Sequence, residues 1–311
     1  MELPEKATTP TMYFVGVTTA KSSIMRVFPR WVEYLGLKGA VLKGIDLKIH
    51  DERENYRKTV DFIKNDPLSL GALVTTHKLD IFESAEDMFD YLDPFAERFG
   101  ELSSISKNSG KLEGHAKDFM SCGLAMEAFI SKGHWKQGGE VFIMGAGGSA
   151  LAITTWLTSP DRGEDRPAVI TLSNRSPQRL EEAKSKLVGV TGATEIRYAL
   201  CPLPEDNDRI LGSLPAHSVV INATGLGKDR PGSPLTGTEL FPLNGLVWEL
   251  NYRGDLLFMK QALEQADDRK LTVEDGWIYF VHGWTQVITQ VFHIDLTPEM
   301  LSDCSEIAKG C

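Results

Sequence analysis

Residues 140–150, EVFIMGAGGSA, run from a short apolar segment directly into a glycine-rich turn, and this junction constrains the fold more than any other stretch of the chain. A short apolar run closed by glycine reads as a buried strand. Gly145 permits a tight turn at its end, Gly147 lets the backbone approach a ligand closely, and Ala150, in the place of a third glycine, lets the next helix pack against the sheet. That helix, beginning near Ser149, turns its free N–H groups and its dipole toward an anion. Gly145, Ala146, Gly147, Gly148, Ser149 and Ala150 therefore read as a cradle for a dinucleotide pyrophosphate. A tight strand-to-helix turn needs no ligand, so context decides: strand, turn, helix and second strand follow in the required order.

The second strand ends in SNRSPQR. An acidic residue at this place would accept hydrogen bonds from ribose hydroxyls, but the chain offers Asn174, Arg175, Ser176 and, one helical turn on, Arg179. Two guanidinium groups suit a 2′-phosphate, which an acid would repel, so NADP is expected rather than NAD. The alternative is a solvated start to the helix SPQRLEEAKSKL. The polar segment SPDRGEDRP, residues 159–167, lengthens the usual interval and reads as a surface loop.

The 311 residues suffice for two domains with separate cores. A net charge of -10 argues against nucleic acid or an anionic membrane as the main partner. No apolar run approaches a membrane span and MELPEKATTP lacks the pattern of a signal peptide, so a cytoplasmic protein is expected. Cys122, Cys201, Cys304 and Cys311 are scattered without metal or disulfide spacing, and the seven histidines do not cluster; reduced thiols and no metal site are expected.

Strands and helices alternate over the first hundred residues. MYFVGV, AVLKGIDL and GALVTT read as strands, ENYRKTVDFIKND and a segment from Asp80 to Met88 as helices, and Ile24, Val27, Phe28, Trp31, Tyr34 and Leu35 recur at helical spacing. SSIS and KLEGH, separated by KNSG, read as a hairpin closing that sheet. A helix is expected from Asp118 to about Trp135 with Met120, Leu124, Ala125 and Ala128 on its apolar face. Strands then recur at VFIM, AVITL, SVVIN and LVWEL, the rhythm of a doubly wound parallel sheet. A final helix from about Trp277 to Phe292 carries an apolar stripe too wide for one face and is expected to bridge two domains. The expected architecture is α/β, with an N-terminal α/β substrate domain (1–118, completed by 276–311) and a Rossmann domain (119–275).

With these pieces in order the chain resembles the shikimate dehydrogenase family over nearly its whole length. GAGGSA is similar to that family's GAGGAA turn and NRSPQR to its NRT-with-arginine clamp. INATGLG, residues 221–227, is similar to its NATPxG segment, so Asn222, Thr224, Gly225 and Leu226 join the expected cofactor contacts. VWELNY resembles the strand that brings a tyrosine, here Tyr252, to the substrate. DGWIYFVHGW resembles the DG-initiated helix, so that Gly276 would approach the nicotinamide. The resemblance makes Lys78 and Asp118 the catalytic pair, in the places of a lysine closing an NVTxPxK strand and an aspartate closing an NTD motif. A lysine amine can take the hydroxyl proton as hydride leaves the carbinol carbon, with its pKa set by burial and a neighbouring carboxylate.

The substrate side departs from the family. Ser22 is kept, Ser23 stands next to it, and Ile24 takes the second serine's place. The lysine strand has lost its asparagine and proline, leaving Thr75 and Lys78. Ser103 and Ser104 replace an asparagine–threonine pair, Ala116 and Lys117 precede Asp118, and the family's substrate glutamine falls at Gly283, between His282 and Trp284. The expected substrate contacts are Ser22, Ser23, Thr75, Ser103 and Tyr252, with His115 and His282 as further polar groups and Lys21 and Arg26 able to attract an anion. A site built for one set of hydroxyls rejects ligands that lack them, because its buried polar groups stay unpaired. The resemblance thus implies an NADP-dependent oxidoreductase interconverting a secondary alcohol and a ketone on a small polyhydroxylated or cyclic acid-like molecule, working as a monomer or homodimer. Genuine shikimate or quinate dehydrogenase activity, and a non-catalytic dinucleotide sensor, are the alternatives.

Overall fold

The structure is a computed structural model describing residues 3–37, 39–189, 192–228 and 230–311. The chain forms two compact units, Met1–Lys117 with Val281–Cys311, and Asp118–Phe280.

The first unit opens with β1 (Thr11–Gly16), α1 (Ile24–Tyr34), β2 (Val41–Asp46), α2 (Arg53–Asn65), β3 (Ser69–Val74) and α3 (Lys78–Ala85). It continues with β4 (Tyr91–Leu92), α4 (Pro94–Phe99), β5 (Ser104–Asn108) and β6 (Lys111–His115). The sheet order is β2-β1-β3-β5-β6-β4. β1 runs parallel to β2 and β3, while β5 is antiparallel to β3 and β6. Every residue of β1 is buried, as suits a strand flanked by two others and covered on both faces. α1 buries Ile24, Val27, Phe28 and Trp31 at helical spacing. Asp93 starts α4 by accepting the Ala96 N–H at 2.6 Å, Pro94 occupies the first position, and Gly100 ends the helix at φ 62°.

Two details differ from the sequence reading. β3 stops at Val74, and α3 begins at Lys78 instead of Asp80, so Lys78 opens a helix and does not close a strand. The hairpin turn is tighter than KNSG: Lys107 and Asn108 still pair with Leu112 and Lys111, leaving Ser109 (φ 51°) and Gly110 (φ 81°) to turn the chain.

The second unit runs α5 (Asp118–Glu127), β7 (Val141–Met144), α6 (Gly148–Thr158), β8 (Val169–Asn174), α7 (Pro177–Leu187), β9 (Glu195–Leu200) and α8 (Pro204–Ser213). β10 (Val219–Asn222), β11 (Leu246–Glu249), α9 (Leu257–Leu263), α10 (Ala266–Arg269) and β12 (Thr272–Glu274) follow. Six parallel strands form a sheet in the order β12-β11-β10-β7-β8-β9. Alternate residues serve alternate faces. Val141, Ile143, Val219, Ile221 and Trp248 face one core, whereas Phe142, Met144, Val220 and Val247 face another with Phe241 and Phe258. Strand order reverses between β7 and β10, the point where ligands of such sheets bind beyond the carboxyl ends of the strands.

The helix expected from Asp118 to Trp135 is shorter. α5 ends at Glu127, and a single 3₁₀ turn at His134–Gln137 follows Gly133, whose φ of 81° no continuing helix could use. Its buried face also differs: Phe119, Cys122, Ala125 and Met126 are inside, while Met120 and Ala128 are exposed. The reason is Gly123, where a Cβ would lie 2.3 Å from the Trp156 ring; α5 packs on α6 through that glycine. β9 was not singled out by the sequence, because EIRYAL is an edge strand of half-exposed residues with no apolar run.

α11 (Trp277–Phe292) contains the division between the units. Its C-terminal part belongs to the first unit, with Trp284 edge-on to Phe14 at 5.0 Å and Phe292 6.3 Å from Phe28. α12 (Pro298–Lys309) completes that unit: the Trp31 indole donates to the Cys304 carbonyl at 2.8 Å, and the Tyr34 hydroxyl to Asp303 at 2.5 Å.

Candidate functional site

At the carboxyl end of β7, Gly145 has φ 128°, and its N–H donates to the Ser173 carbonyl at 2.8 Å. A Cβ there would lie 2.6 Å from the Ala223 carbonyl oxygen. The glycine turn, the end of β8 and the segment after β10 therefore meet at one point, and only glycine fits between them. Gly147 is different. A Cβ at Gly147 would meet no protein atom within 4 Å, so nothing inside the chain demands a glycine there, and its backbone is open to close approach from outside. Ala150 is buried in the core beneath, as close helix–sheet packing needs. The Ser149 hydroxyl lies 3.4 Å from that of Tyr279 on α11.

At the end of β8, Asn174 Oδ1 accepts the Ser176 N–H at 2.9 Å, and the Ser176 hydroxyl caps α7 by accepting the Arg179 N–H at 3.4 Å. This fixes the turn and leaves Arg175 and Arg179 exposed on one surface. Arg179 also pairs with Glu182 at 3.0 Å.

At the ends of β10 and β11 a polar cluster holds the NATGLG segment. Glu249, at 0% exposure, accepts the Asn222 side-chain amide at 2.8 Å on one oxygen. Its other oxygen accepts the Asn251 backbone N–H at 2.9 Å and the Asn251 side-chain amide at 2.7 Å. Both amides use their remaining hydrogens on the Leu226 carbonyl, at 3.3 and 3.0 Å. Asn222 Oδ1 in turn accepts the Thr224 hydroxyl at 2.7 Å and the Thr224 N–H at 3.1 Å. Burial pushes the Glu249 carboxyl up to about 7, against the pull of its three N–H donors.

Gly276 has a reason to be glycine inside the chain: a Cβ would lie 2.1 Å from the Leu250 carbonyl oxygen. Tyr252 lies beyond β11 in an aromatic group, its ring 4.5 Å from Phe280 and 6.1 Å from Trp277, with the Lys228 ammonium 5.9 Å from its centre.

The first unit gathers its own set at one end of its sheet. Thr75 donates its N–H to the Val15 carbonyl at 3.1 Å and its hydroxyl to the same atom at 3.3 Å. The Lys78 carbonyl accepts the Leu102 N–H at 3.0 Å, which brings the start of α3 beside Ser103. Ser103, buried, donates its hydroxyl to the His115 carbonyl at 3.3 Å and accepts the Lys117 N–H at 2.6 Å. Lys78 is half-buried. Asp118, buried, opens α5 in the second unit. Ser22 and Ser23 lie on the segment leaving β1, and Lys21 and Arg26 are exposed.

His115 has both ring nitrogens engaged inside the unit, with Asp93 at 3.5 Å on one and Ser106 at 3.3 Å and Glu113 at 3.6 Å on the other. Burial lowers the pKa of His282 and favours its neutral imidazole. Among the described residues no group of three or more His, Cys, Asp or Glu side chains could hold a metal ion, and no helix is long and apolar enough to cross a membrane.

Three groups escaped the sequence reading. Glu249 had a signal, an acid inside the apolar strand LVWEL. Lys117 is half-buried and its pKa is lowered by that burial against the opposing charge of Asp93. His77, at 0% exposure, lies 3.2 Å from both the Gly16 carbonyl and the Tyr56 hydroxyl, and so pins the residue before Lys78 to β1 and α2. Nothing in a lone histidine announces such a role.

Fold and site together define a two-unit α/β protein with a dinucleotide-type sheet. No family model matches the chain. It is similar to the shikimate dehydrogenase (NADP(+)) of Lactococcus lactis subsp. cremoris, at 29% identity over 178 residues, 57% of this chain and 59% of the relative. It is similar also to that of Thermococcus kodakarensis, at 28% over 202 residues, 64% of each. The chain thus spans about six tenths of the length of these curated relatives. Among solved structures, quinate dehydrogenase from Corynebacterium glutamicum in complex with NAD superposes with a TM-score of 0.76 at 16% identity, covering 97% of this chain and 99% of that one. The 5-ketofructose reductase of a Gluconobacter species gives 0.68 at 19% identity, covering 95% and 97%. Shikimate 5-dehydrogenase from Thermus thermophilus in complex with NADP(H) and shikimate gives 0.69 at 20% identity, covering 96% and 99%. In sequence and fold the chain is shikimate dehydrogenase-like.

Proposed function

We propose that the protein is an NADP-dependent oxidoreductase that interconverts a secondary alcohol and a ketone on a small polyhydroxylated or cyclic acid-like substrate. The observation that carries this reading is the end of β8, where two exposed guanidinium groups stand on a fixed turn in the place of a ribose-binding acid. They fit a 2′-phosphate, and the open backbone at Gly147 fits a pyrophosphate. The shikimate dehydrogenase (NADP(+)) relatives support the same cofactor.

When bound, NADP supplies the hydride acceptor. Gly145, Ala146, Gly147, Gly148, Ser149 and Ala150 would hold its pyrophosphate, Asn174, Arg175, Ser176 and Arg179 its 2′-phosphate ribose, and Asn222, Thr224, Gly225, Leu226 and Gly276 its nicotinamide end. As hydride departs the carbinol carbon, Lys78 takes the hydroxyl proton at its amine, and Asp118 orients and modulates that amine. Ser22, Ser23, Thr75 and Ser103 form the substrate side within a substrate domain of residues 1–118 with 276–311, and Tyr252 joins them from the cofactor domain, 119–275.

Two positions support a substrate other than shikimate. Ile24, in the place of a substrate-binding serine, is wholly buried and has no polar side-chain atom. Gly283, in the place of the substrate glutamine, has no side chain at all. The 5-ketofructose reductase neighbour supports a polyol or its ketone as the alternative to a cyclic acid. The same reading has the protein working in the cytoplasm as a monomer or homodimer. Steady-state assays with NADP and NAD on shikimate, quinate and a panel of cyclic and linear polyols test it. Turnover with NADP on a polyol-type substrate is expected, and the absence of NADP binding would overturn it.

A further inference from the structure

The Glu249 cluster is a closed set of hydrogen bonds. Two side-chain amides, Asn222 and Asn251, each give one hydrogen to the carboxylate and one to the Leu226 carbonyl, so that the carboxylate and the turn are bridged twice. The far end of the turn is held by backbone bonds, the Gly227 N–H to the Arg230 carbonyl at 2.7 Å and the Leu256 N–H to the Gly227 carbonyl at 3.0 Å, so it is the Thr224–Leu226 stretch that the cluster fixes. Gly225 and Gly227 have φ of 75° and 88°, a Cβ at Gly225 would meet nothing within 4 Å, and the Leu226 N–H donates to the Thr224 hydroxyl at 3.2 Å. Thr224 is in turn fastened to Asn222. Remove the acceptors on Glu249 and both amides are free to rotate away from Leu226.

We propose that Glu249 is a positioning residue for the cofactor, whose carboxylate sets the Thr224–Gly227 turn through Asn222 and Asn251. This rests on the reading of that turn as a nicotinamide-side contact. Every hydrogen pointing at the two carboxylate oxygens comes from a nitrogen that can only donate, so the ionised form satisfies the cluster. A proton on either oxygen meets an N–H and displaces one amide. The charges bearing on Glu249 reinforce proton uptake: Asp275, following β12, raises its pKa, and the neighbouring β12 position carries Glu274; β10 presents only the neutral Asn222. With that pKa brought to about 7 by burial, the turn is held above neutrality and released below it.

The test compares the wild-type chain with Glu249→Gln and Glu249→Asp, measuring NADPH affinity by fluorescence titration from pH 6 to 9 and hydrogen exchange of residues 223–227 without ligand. The loss of one hydrogen bond to a charged group predicts about tenfold weaker NADPH binding at pH 6 than at pH 8.5 in the wild type. Glu249→Gln is expected to be weak and flat, with Glu249→Asp restoring part of the slope. The 2′-phosphate titrates in the same range but does so for all variants, so the difference between wild type and Glu249→Gln is the readout. Protection of residues 224–227, corrected for intrinsic rates, should fall in parallel below pH 7 in the wild type only. Should Glu249→Gln fail to fold, Asn251→Ser carries the same comparison. If NADPH binds no variant, the cofactor reading fails and exchange alone decides on Glu249. Wild-type and variant profiles that coincide would overturn the proposal.

Discussion

The Ser103 hydroxyl accepts the Lys117 backbone N–H at 2.6 Å while donating to the His115 carbonyl. A hydroxyl placed this way splints the last residues before the second unit. Ser103→Ala leaves the half-buried Lys117 N–H without this partner, while the His115 carbonyl keeps the Ser103 backbone N–H at 3.0 Å, a loss on the order of 1 kcal/mol. Thermal or urea unfolding measures it. A raised KM beside the lost stability is the outcome expected from its proposed place on the substrate side.

Three glycines separate packing from ligand approach. Gly145→Ala drives a Cβ to 2.6 Å from the Ala223 carbonyl at a φ of 128°, and Gly276→Ala drives one to 2.1 Å from the Leu250 carbonyl. Both should destabilise the second unit by roughly 1–3 kcal/mol or more. Gly147→Ala meets no protein atom and should melt like the wild type while binding NADP more weakly. Calorimetry and cofactor titration on the three variants together check the distinction, and a destabilised Gly147→Ala would refute it.

The arginines at the end of β8 make a second separable claim. Arg175→Ala with Arg179→Ala should raise KM for NADP on the order of 100-fold, from two charge-assisted bonds, and change KM for NAD little. Because Glu182 holds Arg179 at 3.0 Å in the free protein, Glu182→Gln should improve NADP binding modestly.

For Lys78, removal of the amine by Lys78→Ala should cost about 10²–10⁴ in kcat, the usual range for a proton-transfer group, with NADP affinity retained. Stopped-flow turnover alongside fluorescence titration reads both. A variant that still turns over would remove Lys78 from the proton transfer, whereas a wild type that binds NADP without any turnover would make the protein a dinucleotide sensor.

Much of this was legible in the sequence because the signals were local. The strand–turn–helix at 141–158 and the doubly wound rhythm follow from apolar runs and glycines, and α11 from its wide stripe. What was not legible depends on contacts remote in the chain. The inward face of α5 is set by Trp156 against Gly123, thirty-odd positions away, and propensity cannot see it. Ser103 reads as a ligand group in sequence, and its further bond to the Lys117 N–H, a contact across fourteen residues, was not foreseeable there. Gly276 reads as a cofactor contact, although the Leu250 carbonyl alone would require it.

Global stability should also carry the mark of Glu249. Its folded pKa of about 7 stands above the ordinary carboxyl value of 4.5, so the folded chain keeps a proton that the unfolded chain releases. The stability it contributes is complete below the ordinary value and is lost as pH rises to about 7, a change of roughly 3 kcal/mol from the size of the shift. The stability of the wild type relative to Glu249→Gln, from urea unfolding, should decline from pH 5 to pH 8, while His134 and His282, whose pKa burial lowers, give both proteins the opposite trend. A relative stability that rises over that interval would contradict the assignment.

The bond from the Trp31 indole to the Cys304 carbonyl closes a separation of 273 residues. On a ribosome the stretch 118–280 emerges whole while α1 still waits for the helix that covers Trp31. The half of the molecule begun first is thus finished only after the second unit, and its apolar α1 surface stays open to chaperones or to misassembly until α12 is made. Loss of α12 would strip the lining from a core laid down far earlier in the chain.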